Sequence, residues 1–136
     1  MINKVLVGTD TTASADLAVD AAADLAMAHD AELLVLYVRG TNGARDAADP
    51  SKRPDPEAYL SHMGDRFPDL RVRGLSERGD PAERICGVAQ AERVDTIVVG
   101  NRGATGSRWH VRESVPTMVV RHSPCSVFIV DTRKAQ

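Results

Sequence analysis

The chain has 136 residues, a formal net charge of −2, 43% hydrophobic and 26% charged residues, and only 4% aromatic residues. That length suits one domain with one core, and the near-balanced charge argues against nonspecific nucleic-acid binding, which depends on neutralising many phosphates. Two cysteines, Cys86 and Cys125, form neither a disulfide framework nor a zinc cluster by spacing, and no apolar run approaches the ~20 residues of a membrane span.

Lys4 to Thr9 is a nearly continuous apolar run ending in Gly8-Thr9-Asp10, the pattern of a strand buried on both faces of a parallel sheet. It begins too close to Met1 to leave room for a signal-peptide core, which predicts a cytoplasmic protein. Ser14 is placed to cap the following helix, and Asp16 adds negative charge to its first turn. In that helix Leu17, Ala18, Ala21, Ala22, Leu25 and Ala28 recur at helical spacing, and small side chains allow close packing on a sheet.

A second strand is predicted over Glu32 to Val38, then a long loop from Arg39 to Pro56 rich in glycine and proline. Glu57 to Phe67 reads as a short helix stopped by Pro68, and Arg71 to Ser76 as a third strand. Gly79-Asp80-Pro81 is a legible helix start, with Asp80 as cap and Pro81 at the first helical position. That helix runs to about Glu92. A fourth strand covers Thr96 to Val99 and ends on Gly100, a glycine loop follows to Trp109, and a last helix, Ser114 to His122, leads to a fifth strand, Ser126 to Val130. The strict β-α alternation calls for α/β architecture, a doubly wound parallel sheet with helices on both faces.

In such sheets ligands bind beyond the carboxyl ends of the strands where the strand order reverses. The polar or glycine-rich ends belong to strands one and four: Gly8-Thr9-Asp10 and Gly100-Asn101-Arg102-Gly103. Asp10 offers a carboxylate to ribose hydroxyls or a base amine, and the second segment offers unshielded backbone N–H groups to phosphate. Two plainer readings compete: Asp10 closing an Asx-turn, and the glycines merely turning the chain. The G-x-x-G-x-x-G spacing is not the dinucleotide fingerprint, and there is no phosphate-loop lysine.

Taken together, Val5-Leu6-Val7-Gly8-Thr9-Asp10, Gly79-Asp80-Pro81-Ala82, Thr96 through Gly103, Ser114-Val115-Pro116 and Val127-Phe128-Ile129-Val130 resemble, in order and spacing, the universal stress protein family along nearly the whole chain. The resemblance implies a five-stranded sheet of order 3-2-1-4-5, the adenine-nucleotide alpha-hydrolase-like arrangement, and a switch point between strands one and four. It implies a homodimer in which the last strand, Val127 to Val130, pairs with that of a second copy. An exposed apolar edge there is otherwise an aggregation hazard.

The nucleotide-binding branch of the family carries G-x-x-G, nine residues, then Gly and Ser or Thr. Gly100, Gly103 and Ser114 match, but Glu113 stands where the pattern has glycine. By the same mapping Asp10 and the backbone of Val38 face the adenine nucleoside, and Gly103, Ser114 and Val115 face phosphate. Thr11 and Thr12 stand where the family often has Gly-Ser.

A glutamate beside phosphate matters. One like-charge pair at ~4 Å and an effective dielectric of ~20 costs on the order of 4 kcal/mol, half of the roughly 8 kcal/mol of micromolar binding. Three arrangements relieve it: an outward turn toward Arg108 or Arg112, a Mg²⁺ bridging to a triphosphate such as ATP, or a less charged ligand such as AMP or cyclic AMP. Alternatively Glu113 serves only the dipole of the helix that Ser114 caps. The expected function is therefore a regulator sensing an adenine nucleotide, or a dimeric interaction protein with an impaired site and no nucleotide.

An enzyme is not expected, apart from weak ATP hydrolysis as an accessory property. No Ser–His–Asp or Cys–His set can be assembled, and the second carboxylate and lysine of a phospho-receiver are missing from strands three and five.

Overall fold

The computed structural model describes residues 1–40, 55–101 and 114–133. Its elements in chain order are β1 (Lys4–Thr9), α1 (Ala13–His29), β2 (Glu32–Arg39), α2 (Pro56–Ser61), α3 (Met63–Arg66), β3 (Val72–Arg78), α4 (Pro81–Ala91), β4 (Thr96–Gly100), α5 (Val115–His122) and β5 (Ser126–Val130). The five strands form one sheet in the order β3-β2-β1-β4-β5, every pair parallel. This is the expected doubly wound arrangement.

The continuous apolar runs of β1, β2 and β4 are continuous because both faces are covered. On one face Val5, Val7, Leu33, Val35 and Val98 meet the alanines of α1 (Ala18, Ala22, Ala23, Ala26) together with Tyr59, Leu60 and Met63 of α2 and α3. On the other, Leu6, Leu34, Leu36, Ile97 and Val99 meet Ile85, Val88 and Ala89 of α4 and Val115 and Val119 of α5. Alternate residues of one strand thus serve two different apolar layers, as the two-residue strand period requires. No described helix is long and apolar enough to cross a membrane.

Several boundaries differ from the sequence reading, each for a physical reason. The cap of α1 is Thr12, whose hydroxyl accepts from Ala15 N at 3.2 Å. Ser14 lies inside the helix, and its hydroxyl donates to Thr132 O at 3.4 Å. The stretch Glu57 to Phe67 is two short helices, parted at His62, whose Nδ1 lies 2.6 Å from Ala58 O. Of the expected Arg39–Pro56 loop, Arg39 belongs to β2, while Asp55 caps α2 and Pro56 opens it. Residues 41–54 lie outside the described residues.

β3 runs two residues further than expected, to Arg78, because its pairing with β2 continues through Arg39↔Arg78 and Gly79 N then donates to Arg39 O at 2.9 Å. Gly79 has φ of 140°, a conformation that suits only glycine, and this lets the chain turn directly into the Asp80 cap of α4.

Candidate functional site

The carboxyl ends of β1, β2 and β4 lie side by side. Thr9 pairs with Tyr37, so Asp10 leaves β1 level with Val38, where β2 still runs on to Arg39. Continuing the β1–β4 register from Val7↔Val98 brings Thr9 level with Gly100. Asp10, Val38 and Gly100 are thus gathered at one sheet end, at the switch point where β1 is flanked by β2 and β4. Arg102, Gly103, Glu113 and Trp109 lie outside the described residues.

The β1–α1 turn is built almost wholly from hydroxyls and one carboxylate. Asp10 Oδ1 accepts from both Thr12 N, at 3.0 Å, and the Thr12 hydroxyl, so the Asx-turn foreseen as a plain reading is present. Among the described residues nothing donates to Asp10 Oδ2. One oxygen thus holds the turn at the strand end.

Thr11 sits at φ 67°, the left-handed region that a β-branched residue rarely enters. It is 4% exposed, and its hydroxyl oxygen is buried with no hydrogen-bond partner. A strained backbone and an unsatisfied buried hydroxyl therefore coincide beside Asp10, features that concentrate at ligand sites.

Gly8 and Gly100 owe their identity to packing. A Cβ on Gly8 would lie 3.0 Å from Ile85 Cδ1, and one on Gly100 would lie 2.7 Å from Thr132 Cγ2. Thr132 is fully buried, and its N–H and hydroxyl donate to Asn101 Oδ1 at 3.0 and 3.3 Å. Asn101 N in turn donates to Val130 O at 2.9 Å. The end of β4 is thereby held by the segment leaving β5, a contact with no signature in the sequence.

Ser114 caps α5 by accepting from Thr117 N at 3.3 Å, and its oxygen lies 2.9 Å from Thr117 Oγ1. Val115 is 8% exposed and packs in the α4–α5 layer with Leu36 and Val99. The cap role thus stands. Ser114 and Val115 open the helix from the side of the sheet where β4 ends.

Tyr59 was not among the expected site residues. It is buried, and its phenol donates to Asp16 Oδ1. Burial first, then the bond to Asp16, pushes the phenol up to about 12. Arg66 donates to Asp16 Oδ1 at 3.2 Å and also to Asp20 Oδ1. Nothing in a lone tyrosine on a short helix signals this, because the partners lie 43 and 50 residues away along the chain.

The described histidines build no catalytic set. His29 and His122 are exposed in the last turns of α1 and α5, and His62 caps α2. Among the described residues no group of three or more His, Cys, Asp or Glu side chains is placed to hold a metal ion. Burial pushes the Cys86 thiol up, with Cys125 adding to it, so Cys86 is a poor nucleophile.

Comparison with known proteins agrees with this geometry. A solved universal stress protein in complex with cAMP superposes with a TM-score of 0.77 at 27% identity, covering 96% of this chain and 98% of that one. A universal stress protein of Mycobacterium tuberculosis is 33% identical over 144 residues, 94% of this chain and 95% of that protein. One from Methanothermobacter thermautotrophicus is 36% identical over 69 residues, a match spanning about half of each chain (51% and 47%). The family model described as the universal stress protein family matches residues 1–131. With strand order, switch point and nearly full-length similarity in agreement, the chain belongs to the universal stress protein family.

Proposed function

We propose that this protein is a regulatory module that binds an adenine nucleotide across the carboxyl ends of β1 and β4 and acts by reporting its occupancy, without a metabolic turnover of its own. The observation that carries the reading is the β1–α1 turn: the Asp10 carboxylate at the strand end beside a buried, unpartnered Thr11 hydroxyl, in the fold of a relative that holds cAMP. Asp10 and the Val38 backbone meet the nucleoside, while Ser114 and Val115 lie toward phosphate, the role the family pattern also implies for Gly103. ATP would bring Mg²⁺, and its three phosphates would demand the most accommodation from Glu113.

β5 is the surface where a second copy pairs. It is an edge strand, and Phe128 and Ile129 are 50% and 46% exposed, an apolar edge that a solitary chain would leave open to aggregation. Glu113 supports a second reading, a dimeric interaction protein that has lost its nucleotide.

Calorimetric titration with ATP, AMP and cyclic AMP, each with and without Mg²⁺, decides between them. Micromolar binding by the wild type is expected, with Glu113→Gly tightening ATP more than cyclic AMP. Binding only after Glu113→Gly would establish the second reading, and no binding by either would overturn the placement of the site. Sedimentation of the same samples should show a dimer that Ile129→Asp converts to monomer.

A further inference from the structure

Two arginines stand side by side where β2 and β3 end. The two strands keep their register to the last residue, where Arg39 is the partner of Arg78, and Gly79 N then donates to Arg39 O at 2.9 Å. The two backbones are therefore held about 4.8 Å apart, the spacing of neighbouring strands. Strand alternation puts both side chains on one face of the sheet. Tyr37, two residues before Arg39, belongs to the layer that contains the α1 alanines, and Gly74, four before Arg78, faces Leu60 of α2. The Arg39 guanidinium lies over the Tyr37 ring, 6.0 Å from its centroid.

The acids that flank these strand ends along the chain are engaged elsewhere. Glu77 alternates to the opposite face, where it pairs with Arg84 of α4 at 3.1 Å. Asp55 and Asp80 cap α2 and α4 by accepting from Ala58 N and Glu83 N. Among the described residues no carboxylate pairs with Arg39 or Arg78. Like charges directly opposed on neighbouring strands weaken a sheet. Arg73, in the same β3, shows the ordinary remedy: it pairs with Glu32 at 3.2 Å and with Glu92 at 2.6 Å.

We infer that Arg39 and Arg78 form a binding site for a phosphate group, either the free ion or the phosphate of a small ester. A tetrahedral phosphate has oxygens enough for two guanidinium forks at once, whereas the two oxygens of a carboxylate fill only one. Arg78 is exposed and Arg39 half-buried, so the site is open to solvent. It is independent of the nucleotide reading, which uses neither arginine.

The test is thermal melting at constant ionic strength, with chloride replaced by inorganic phosphate or by glycerol phosphate. The proteins are wild type, Arg39→Gln, Arg78→Gln and Arg71→Gln. Arg71 is an exposed arginine at the opposite end of β3, where it donates to Asp30 O, and its variant reports general charge effects. Phosphate at about ten times a roughly millimolar dissociation constant should raise the wild-type melting temperature by several degrees. Arg71→Gln should show the same rise. Arg39→Gln and Arg78→Gln should each lose most of it, and bind phosphate about tenfold or more weakly, because either leaves a single fork. In an isotope-labelled wild type, the Nε–H signals of Arg39 and Arg78 should shift together along one saturating curve.

The absence of a rise beyond the chloride control would overturn the inference. So would a rise that survives in both Arg39→Gln and Arg78→Gln, which would put the phosphate elsewhere, or an equal loss in Arg71→Gln, which would reduce the effect to screening. A rise with inorganic phosphate alone assigns the site to the free ion, and a rise with both probes extends it to esters.

Discussion

Gly100→Ala tests how tightly the end of β4 is closed. The added methyl would lie 2.7 Å from Thr132 Cγ2, 3.4 Å from Thr132 Oγ1 and 3.5 Å from Ala18 Cβ. Carbon atoms rest at ~3.5–4.0 Å, so Thr132 must retreat by about 1 Å. It is fully buried and tied to Asn101 by two hydrogen bonds, and retreat strains both. Overpacking of this kind costs ~1–3 kcal/mol, and ~2 kcal/mol lowers the melting temperature by about 7 °C in a chain of this size.

The culprit is a single methyl, so a double-mutant cycle isolates it. Thr132→Ser alone removes that methyl and costs about 1 kcal/mol in lost burial and cavity. In Gly100→Ala/Thr132→Ser the alanine methyl occupies the vacated space, and the total should be about 1 kcal/mol instead of the additive ~3 kcal/mol. Urea unfolding gives each free energy, and the coupling of ~2 kcal/mol is well outside the scatter for independent sites. Additive losses would refute the contact as the reason for glycine at this position.

Two further substitutions probe other parts of the sheet. Thr11→Gly removes the left-handed strain and the unpartnered hydroxyl, which outweigh the lost methyl burial and the greater chain entropy; it should stabilise the fold by about 1 kcal/mol in thermal melts. Asp95 Oδ2 accepts from Asn3 N at 2.7 Å and Lys4 N at 3.0 Å, and these bonds, Asn3 first, hold its carboxyl below the usual range. Its stabilisation is present above the unfolded pKa near 4 and lost as pH falls through the lower folded value, so Asp95→Asn should flatten the acid limb of a stability–pH profile below about pH 4.

What the sequence revealed depended on how local each cause was. β1 and β5 were legible to the residue because their boundaries are set by apolar runs against polar neighbours. Asp80-Pro81 was legible because a cap and its first helical residue are adjacent. The Thr12 cap was not, since it depends on Thr11 adopting a positive φ that residue type argues against. The divide at His62 likewise went unforeseen, because Gly64 is the more obvious weak point.

At the site, Asp10 and Gly100 were legible as strand ends, but the reason for Gly100 lies at Thr132, 32 positions later in the sequence. Tyr59 owes its place to its bond to Asp16 of α1 and to the apolar layer it joins. Pattern reading along the chain does not reach partners so far apart.

The strap from Val130 to Thr132 also bears on how the protein is made. Asn101 and Ser14 both bond to it, so the outer end of β4 and the first turn of α1 wait for residues that leave the ribosome after all five strands have been synthesised. β1, β2 and β3 can pair earlier, whereas β4 lacks its outer neighbour until translation has passed Val130. A nascent chain stalled before that point would carry the turn at Asp10 without the closure at Gly100, and the switch point would be among the last regions to mature.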